Sequence, residues 1–436
     1  MERLPGFRDF YPEPLPQPDL WSADARQYIF SRWRTVARRY GFREYDGPPL
    51  EPLELFTTKS GQEIVGQLYN FTDKGERAVA LRPEMTPTLA RMIAAHERSY
   101  KKPIKWFALP QLFRYERQQK GRLREHFQFN ADIIGESSVA ADAELIRLLI
   151  DALRAFDLTS SDFVIRISSR EVWRQRLDRL HIEQSDIQDA IFQAIDKMER
   201  EPLEATRTKL LGLSLSEDQI SKIIGTTQIT ESDPEQFGNL AYMGELFGYL
   251  EDVKEFCKAD FRIVRGLAYY TGLVFEAHDR KGEFRAIAGG GRYDNLVRLI
   301  SGGKVNLPAL GFGMGDVVLL ELLKARGLLP AFDAALDAFC LIEDEALRAE
   351  SLKLVQELRT AGLVVDYPLA PAKSDKQFKR AQELKAAHTF KLERNQTGHL
   401  MTKIKNLKTR EEKTLTPAAA SDDLRQNSSP PCRHSC

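Results

Sequence analysis

Apolar and polar positions alternate with two different periods, and the switches between them divide the chain. From Asp19 to Tyr40, Leu20, Ala23, Tyr28, Ile29, Trp33 and Val36 recur with basic residues between them, the spacing of an amphipathic helix. Gly47-Pro48-Pro49 breaks that pattern. Leu68–Asp73 and Ala78–Arg82 then read as short strands about a Lys-Gly-Glu turn. Pro87, in the first-turn position that tolerates it, opens a helix over Thr88–Tyr100. From Trp106 to Glu136 an apolar segment runs into a loop holding Arg114, Arg117, Lys120, Arg122 and Arg124, and returns as Phe127–Ile134. Aromatic and β-branched residues alternate with polar ones on both flanks, which predicts a hairpin. A strand period of two puts Gln128, Asn130 and Asp132 on one face of its return strand. Carboxylate and amides on one side, with guanidinium groups at the tip, would suit a polyphosphate beside a small polar ligand; a solvated charged hairpin would show the same pattern.

Ser138–Phe156 follows as a helix and Phe163–Ile167 as a strand. Arg170 to about Lys258 is charged, helix-periodic and without a convincing strand, which reads as a helical insertion. Strands are expected again at Phe261–Val264, Leu273–Ala277 and Phe284–Ile287. Gly289-Gly290-Gly291 precedes a helix at Tyr293–Ile300, and Leu310–Met314 leads into a helix over Asp316–Ala325. Beyond Pro330, Ala338–Ile342, Leu347–Ala361, Val364–Tyr367 and Asp375–Ala386 alternate strand and helix as in a small α/β domain. The fold class is therefore α+β, with the first part of a large domain over 1–169, the insertion over 170–258, the second part of that domain over 259–329 and an α/β domain over 330–416. Residues 417–436 have the composition of a disordered tail.

Composition changes this picture little. At 436 residues the chain is too long for one ordinary core. Lys+Arg and Asp+Glu both number 63, so a nucleic-acid partner has to be argued from local patches. One such patch is 371–416, with 12 basic side chains against five acidic ones. Cys257, Cys340, Cys432 and Cys436 show no C-x-x-C pair, which supports neither a zinc site nor a disulfide framework. No apolar run is long enough to span a bilayer and the N-terminus is no signal peptide. The expectation is a cytoplasmic protein, away from membranes, with no bound metal.

Several segments together resemble the histidine–tRNA ligases of the class II aminoacyl-tRNA synthetases, from Gly6-Phe7-Arg8-Asp9 to about residue 415. Pro48 with Leu50-Glu51 resembles the first motif of that class, at its dimer interface. Phe113-Arg114-Tyr115-Glu116 through Arg124-Glu125-His126-Phe127-Gln128 resembles the second. Leu81-Arg82-Pro83-Glu84-Met85-Thr86 and Arg265-Gly266-Leu267-Ala268-Tyr269-Tyr270-Thr271-Gly272 resemble the histidine signatures. Three departures stand out. Ala268 sits where the family usually has Asp. Gly311-Phe312-Gly313-Met314-Gly315-Asp316-Val317-Val318 lacks the Glu-Arg pair of the third motif. His126-Phe127 reverses the usual Phe-His order. These replacements resemble a divergent branch that includes bacterial and plant-organelle enzymes.

The resemblance implies a class II antiparallel sheet with flanking helices and an anticodon-binding C-terminal domain. It implies a homodimer whose partners are histidine, ATP with Mg2+ and tRNA(His), with no tightly held cofactor. Activation sets the histidine carboxylate against the α-phosphorus of ATP, so positioning and fixed positive charge do most of the work. Arg114 and Arg265 would be the catalytic cations; arginine stays protonated and makes a poor base. Glu84 would take the α-ammonium, with Thr86 beside it and Gln128 between the two ends. Asp132 and Tyr270 would bind the imidazole nitrogens, with Tyr269 packing nearby. Arg114, Glu116, His126, Phe127 and Gly313 would serve ATP. Glu116 either holds Mg2+ or orients Arg114, and strand register decides whether His126 or Phe127 meets the adenine. Lys120 and Arg122 would face the acceptor end of the tRNA, and Gln377 and Lys379 its anticodon. The alternative is a non-catalytic, histidine-binding regulator of histidine biosynthesis; such paralogues generally lack the C-terminal domain and lose the arginine kept here as Arg265. An RNA-binding pseudo-enzyme, favoured by the altered third motif, is a further rival.

Overall fold

The computed structural model describes residues 2–60, 62–115, 123–199, 201–229, 241–264, 270–332 and 336–427. The chain divides into two compact units, one of Met1–Asp9 and Ala25–Leu329, the other of Phe10–Asp24 and Pro330–Cys436.

The first unit is built on a nine-stranded sheet. In chain order its strands are β1 (Arg43–Glu44), β2 (Ile104–Ala108), β3 (Gln111–Phe113), β4 (Glu125–Ile134), β5 (Phe163–Ser169), β6 (Cys257–Ala259), β7 (Leu273–Asp279), β8 (Ala288–Arg292) and β9 (Ala309–Gly315). They lie in the order β6-β5-β7-β8-β9-β4-β2-β1, and β3 pairs with the start of β4. The middle of the sheet is antiparallel, and the edge pairs β5–β6 and β1–β2 are parallel. The long strand β4 lies between β9 and β2, so its side chains stand at the middle of the layer.

Helix α1 (Ala23–Arg39) covers one face of β4. Its buried residues Ile29, Phe30, Trp33, Val36 and Ala37 recur every three to four positions. The fully buried Trp33 stacks on Phe129 of β4 at 5.6 Å, and Phe129 also meets Phe107 and Phe312 edge-on. Burying each such side chain stabilises the fold by roughly 1.5–3 kcal/mol. Odd-numbered residues of β4 thus face α1, and even-numbered ones face the other way.

Helices α2 (Thr86–His96) and α3 (Val139–Arg154) flank the sheet strands in sequence, with Pro87 in the first turn of α2. The insertion supplies α4 (Arg170–Arg179), α5 (Ser185–Lys197), α6 (Leu203–Leu211), α7 (Glu217–Thr226) and α8 (Ala241–Tyr249). Ser216 and Gln219 form a capping box at the start of α7. Helix α9 (Asp316–Arg326) stops at Gly327, whose φ of 66° is cheap only for glycine.

Two strand expectations shift. The segment Phe261–Val264 is not a strand; the edge strand is Cys257–Ala259 instead. Phe284–Ile287 is not one either, because the paired residues are Ala288–Arg292. The triple glycine is therefore the interior of β8, hydrogen-bonded on both sides, and not a turn before a helix.

The second unit has a five-stranded sheet. Its strands β10 (Ala338–Cys340), β11 (Val365–Asp366), β12 (His388–Arg394), β13 (Leu400–Asn406) and β14 (Glu412–Leu415) lie in the order β11-β10-β12-β13-β14. Helices α10 (Arg348–Thr360), α11 (Ser374–Glu383) and α12 (Pro417–Asn427) accompany it. Helix α12 corrects the expected disordered tail: Ala420 and Leu424 are buried in the same core as Leu354, Leu358, Phe390 and Ile404. Residues 428–436 lie outside the described residues.

Candidate active site

The site is the even-numbered face of β4 and the two glycine-rich strands beside it. Gly311 lies opposite Asp132, and Gly291 lies opposite Gly311, so these positions share one face. The glycines among them leave no room for a side chain of their own. A Cβ on Gly311 would stand 1.9 Å from Asp132 Oδ1, one on Gly313 about 2.6 Å from the Gln128 amide, and one on Gly291 about 2.8 Å from the Tyr270 ring. Glycines here supply space, and Gln128, Asp132 and Tyr270 fold down over bare backbone.

Asp132 is buried, and Tyr293, 161 residues away, donates its hydroxyl to Asp132 Oδ1 at 2.5 Å. Burial raises the carboxyl from an ordinary 3.8 to about 7, the hydroxyl bond offsetting only part of that rise. Sequence reasoning missed Tyr293; its one signal was its place directly after the Gly-Gly-Gly-Arg run. Tyr270 is held from behind by Arg170, a buried guanidinium whose Nε donates to Val264 O (3.0 Å) and Nη1 to Tyr270 O (3.2 Å).

The segment that carries Glu84 and Thr86 is placed by β3. Phe113 N donates to Arg82 O at 3.0 Å, and Arg114 Nε donates to Pro83 O at 3.0 Å. The Arg82–Thr86 segment therefore lies against β3, which brings Arg114 beside the turn that carries Glu84. Arg82 itself is buried on Gly47 O, Gln111 O and Asp46. The half-buried Arg114 has no carboxylate partner among the described residues.

The register separates the two aromatic candidates. His126 shares the face of Gln128 and Asp132, with its ring 3.9 Å from the Cβ position of Gly315. Phe127 points the other way: it meets Phe30 of α1 at 5.2 Å and lies under Arg26 at 5.4 Å. Phe127 is therefore a packing residue, and the expectation of an ATP contact there is corrected.

The beginning of β4 is tied to α9 by a second residue the sequence reading left without a role. Arg8, 1% exposed at its side chain, binds Glu125 at 2.6 Å and Asp316 at 2.7 Å. Asp316 Oδ1 also accepts from Phe127 N at 3.0 Å. Asp316 stands where the third motif departs from the family pattern. A charge cluster of one guanidinium and two carboxylates thus locks the N-terminal arm, β4 and α9 together.

Gln377 does not face a ligand. It is buried, its amide donates to Ile342 O (2.7 Å) and Ala372 O (2.6 Å), and its oxygen accepts from Ile342 N (2.8 Å). With every polar atom spent on backbone it is a structural tie of the second unit, and the expected RNA contact is corrected. Lys379 is exposed and lines a cavity of about 420 Å³ with Phe378, Lys391, Lys403 and Lys405. Three of those lysines pair with Glu343 or Glu412. Glu116, Lys120, Arg122, Arg265 and Tyr269 lie outside the described residues.

With this geometry in place, the known proteins that the chain matches are informative. A family model described as histidyl-tRNA synthetase matches residues 17–316. A histidine–tRNA ligase of Opitutus terrae is 45% identical over 94% of this chain and 95% of its own length. The chloroplastic/mitochondrial histidine–tRNA ligase of Arabidopsis thaliana is 38% identical over 87% of this chain and 78% of its own. The crystal structure of histidyl-tRNA synthetase from a Nostoc species superposes with a TM-score of 0.75, covering 96% of this chain and 98% of that one at 23% identity, a likeness of fold. The chain belongs to the histidyl-tRNA synthetase family.

Proposed function

We propose that the face of β4 is where this chain performs the family's reaction, the ATP-dependent attachment of histidine to tRNA. In the first step the histidine carboxylate attacks the α-phosphorus of ATP, forming histidyl-adenylate and releasing pyrophosphate. In the second a ribose hydroxyl of the tRNA attacks the activated carbonyl and AMP leaves. Mg2+ enters with ATP as part of the substrate. The family assignment carries charging of tRNA and not the regulator alternative.

The observation that carries the residue-level reading is the convergence of Gln128, Asp132 and Tyr270 over bare glycine, with Arg114, at the end of β3, bonded to the turn that carries Glu84. In this reading Asp132 accepts from one imidazole nitrogen and Tyr270 serves the other, so the pocket selects a ring that both donates and accepts. Such a pocket rejects analogues without those atoms by about 10⁴-fold or more. Glu84 and Thr86 hold the ammonium end. Arg114 and Arg265 act as fixed charge on the α-phosphate oxygens, where charge grows in the transition state. His126, from its place on the ligand face, offers its ring to the adenine, and Gly313 leaves room beside Gln128.

The rest of the reading concerns partners. Exposed Leu50 and Phe71, both in the small sheet of Leu50–Pro52, Asn70–Thr72 and Ala78–Leu81 that contains the first-motif resemblance, favour a homodimer through that sheet. The lysine-lined cavity around Lys379 favours the anticodon of tRNA(His), and Lys120 and Arg122 its acceptor end. A cytoplasmic location is part of the same proposal. The test is charging of tRNA transcripts with each amino acid in turn: histidine alone should be attached, and only to tRNA(His). Failure with histidine, or equal charging of an unrelated amino acid, would reject the proposal.

A further inference from the structure

Tyr45 holds a polar atom the assigned pocket does not use. Its hydroxyl is buried and has no hydrogen-bond partner among the described residues, an arrangement that buried tyrosines rarely keep unless a ligand completes it. Its position is fixed by the sheet. Tyr45 follows β1, its N–H donates to Phe107 O at 2.9 Å, and its ring packs on Trp106 with centroids 5.5 Å apart. Trp106 stands directly opposite Asp132 in the β2–β4 ladder, so the two side chains rise from the same face. Tyr45 and Trp106 also pack against the cluster that contains Tyr270 and Tyr293. The hydroxyl thus belongs to the wall around Asp132, and burial together with the Asp132 charge keeps it protonated, well above the usual tyrosine range.

We infer that Tyr45 is a further specificity-determining residue, its hydroxyl bonding the imidazole ring of bound histidine. This rests on the reading of the β4 face as the histidine pocket. Asp132 supplies a short carboxylate already engaged by Tyr293 on one oxygen, and a second phenol on its flank adds a directional contact to the ring. An apolar side chain at residue 45 would fill the same space without discriminating between an imidazole and a ring of equal size.

The test is Tyr45→Phe, which keeps the ring and its packing on Trp106. Histidine-dependent ATP–pyrophosphate exchange is measured for wild type and variant, with the inhibition constant of 2-thienylalanine, a five-membered ring without nitrogen. The expected result is a KM for histidine raised about tenfold, the weight of one buried hydrogen bond. The KM for ATP and the inhibition by thienylalanine should stay unchanged, and the melting temperature of the free variant should be equal or higher because an unpaired buried hydroxyl has been removed. An unchanged KM for histidine with a raised melting temperature would overturn the inference and leave the ligase reading intact. A wild type that neither exchanges nor binds histidine would overturn both.

Discussion

Asp132→Asn should weaken the enzyme and strengthen the fold, with a pH dependence that identifies the cause. The substitution keeps shape and keeps an oxygen for the Tyr293 hydroxyl, but removes the charge. In the free protein burial raises the carboxyl from 3.8 to about 7. A group raised on folding contributes stability that is fully present below its unfolded pKa and lost as pH climbs through the folded one. The window is therefore roughly pH 4 to pH 7, and a shift of about 3 units corresponds to about 4 kcal/mol at its limit. The stability of the variant relative to wild type should thus rise by up to about 4 kcal/mol between pH 4 and pH 8, whatever the new amide adds as a constant offset. Function should move oppositely. At pH 8 the wild-type carboxylate accepts a charge-assisted bond from the imidazole, worth about 1.5–3 kcal/mol, so the variant's KM for histidine should rise about 10- to 150-fold. Denaturant midpoints from pH 4 to pH 8, paired with exchange kinetics at pH 8, supply both readouts. A stability difference flat across that range, or an unchanged KM, would refute the reasoning.

Three further outcomes follow from named contacts. Gly311→Ala forces a methyl to within 1.9 Å of Asp132 Oδ1; overpacking of this kind costs about 1–3 kcal/mol, and histidine affinity measured by calorimetry should fall with it. Arg8→Met leaves Glu125 and Asp316 as buried carboxylates without their shared cation, which should destabilise the protein by about 3–5 kcal/mol; urea unfolding should show a smaller loss at low pH than at pH 8, because burial already pushes the Asp316 carboxyl up and the variant loses the guanidinium that opposes that rise. Gln377→Ala strands the Ile342 and Ala372 backbone groups and should cost about 1–3 kcal/mol, seen as a lower melting temperature of the second unit, while charging kinetics below that temperature stay near wild type.

What the sequence made legible is what depends on local periodicity. The even-numbered face of β4 follows from the strand period alone, and Gln128 and Asp132 stand where that period put them. The Trp33 stripe of α1 and the first-turn Pro87 of α2 follow from helix spacing in the same way. The illegible part is pairing across long separations. Tyr293 meets Asp132 from 161 residues away and Arg8 meets Asp316 from 308, and no local pattern encodes either contact. Gly289–Gly291 carries no side-chain alternation, so its strand character exists only because β7 and β9 flank it. Gln377 looked like an exposed polar residue because α11 is dense in charge, and composition does not say which face of such a helix is buried. The strands β12–β14 were hidden likewise: Thr402 and Ile404 alternate inward while Lys403 and Lys405 alternate outward, which reads as a basic patch when only charge is counted.

The central claim is that this chain activates histidine at the face of β4, and histidine-dependent ATP–pyrophosphate exchange tests it most directly. Wild-type protein should exchange only with histidine present, and Arg265→Ala should reduce the rate by about 10²–10³-fold or more, as loss of a fixed transition-state charge does, while histidine still binds. Wild-type protein that binds histidine without exchange, or exchange untouched by the arginine substitution, would contradict the account.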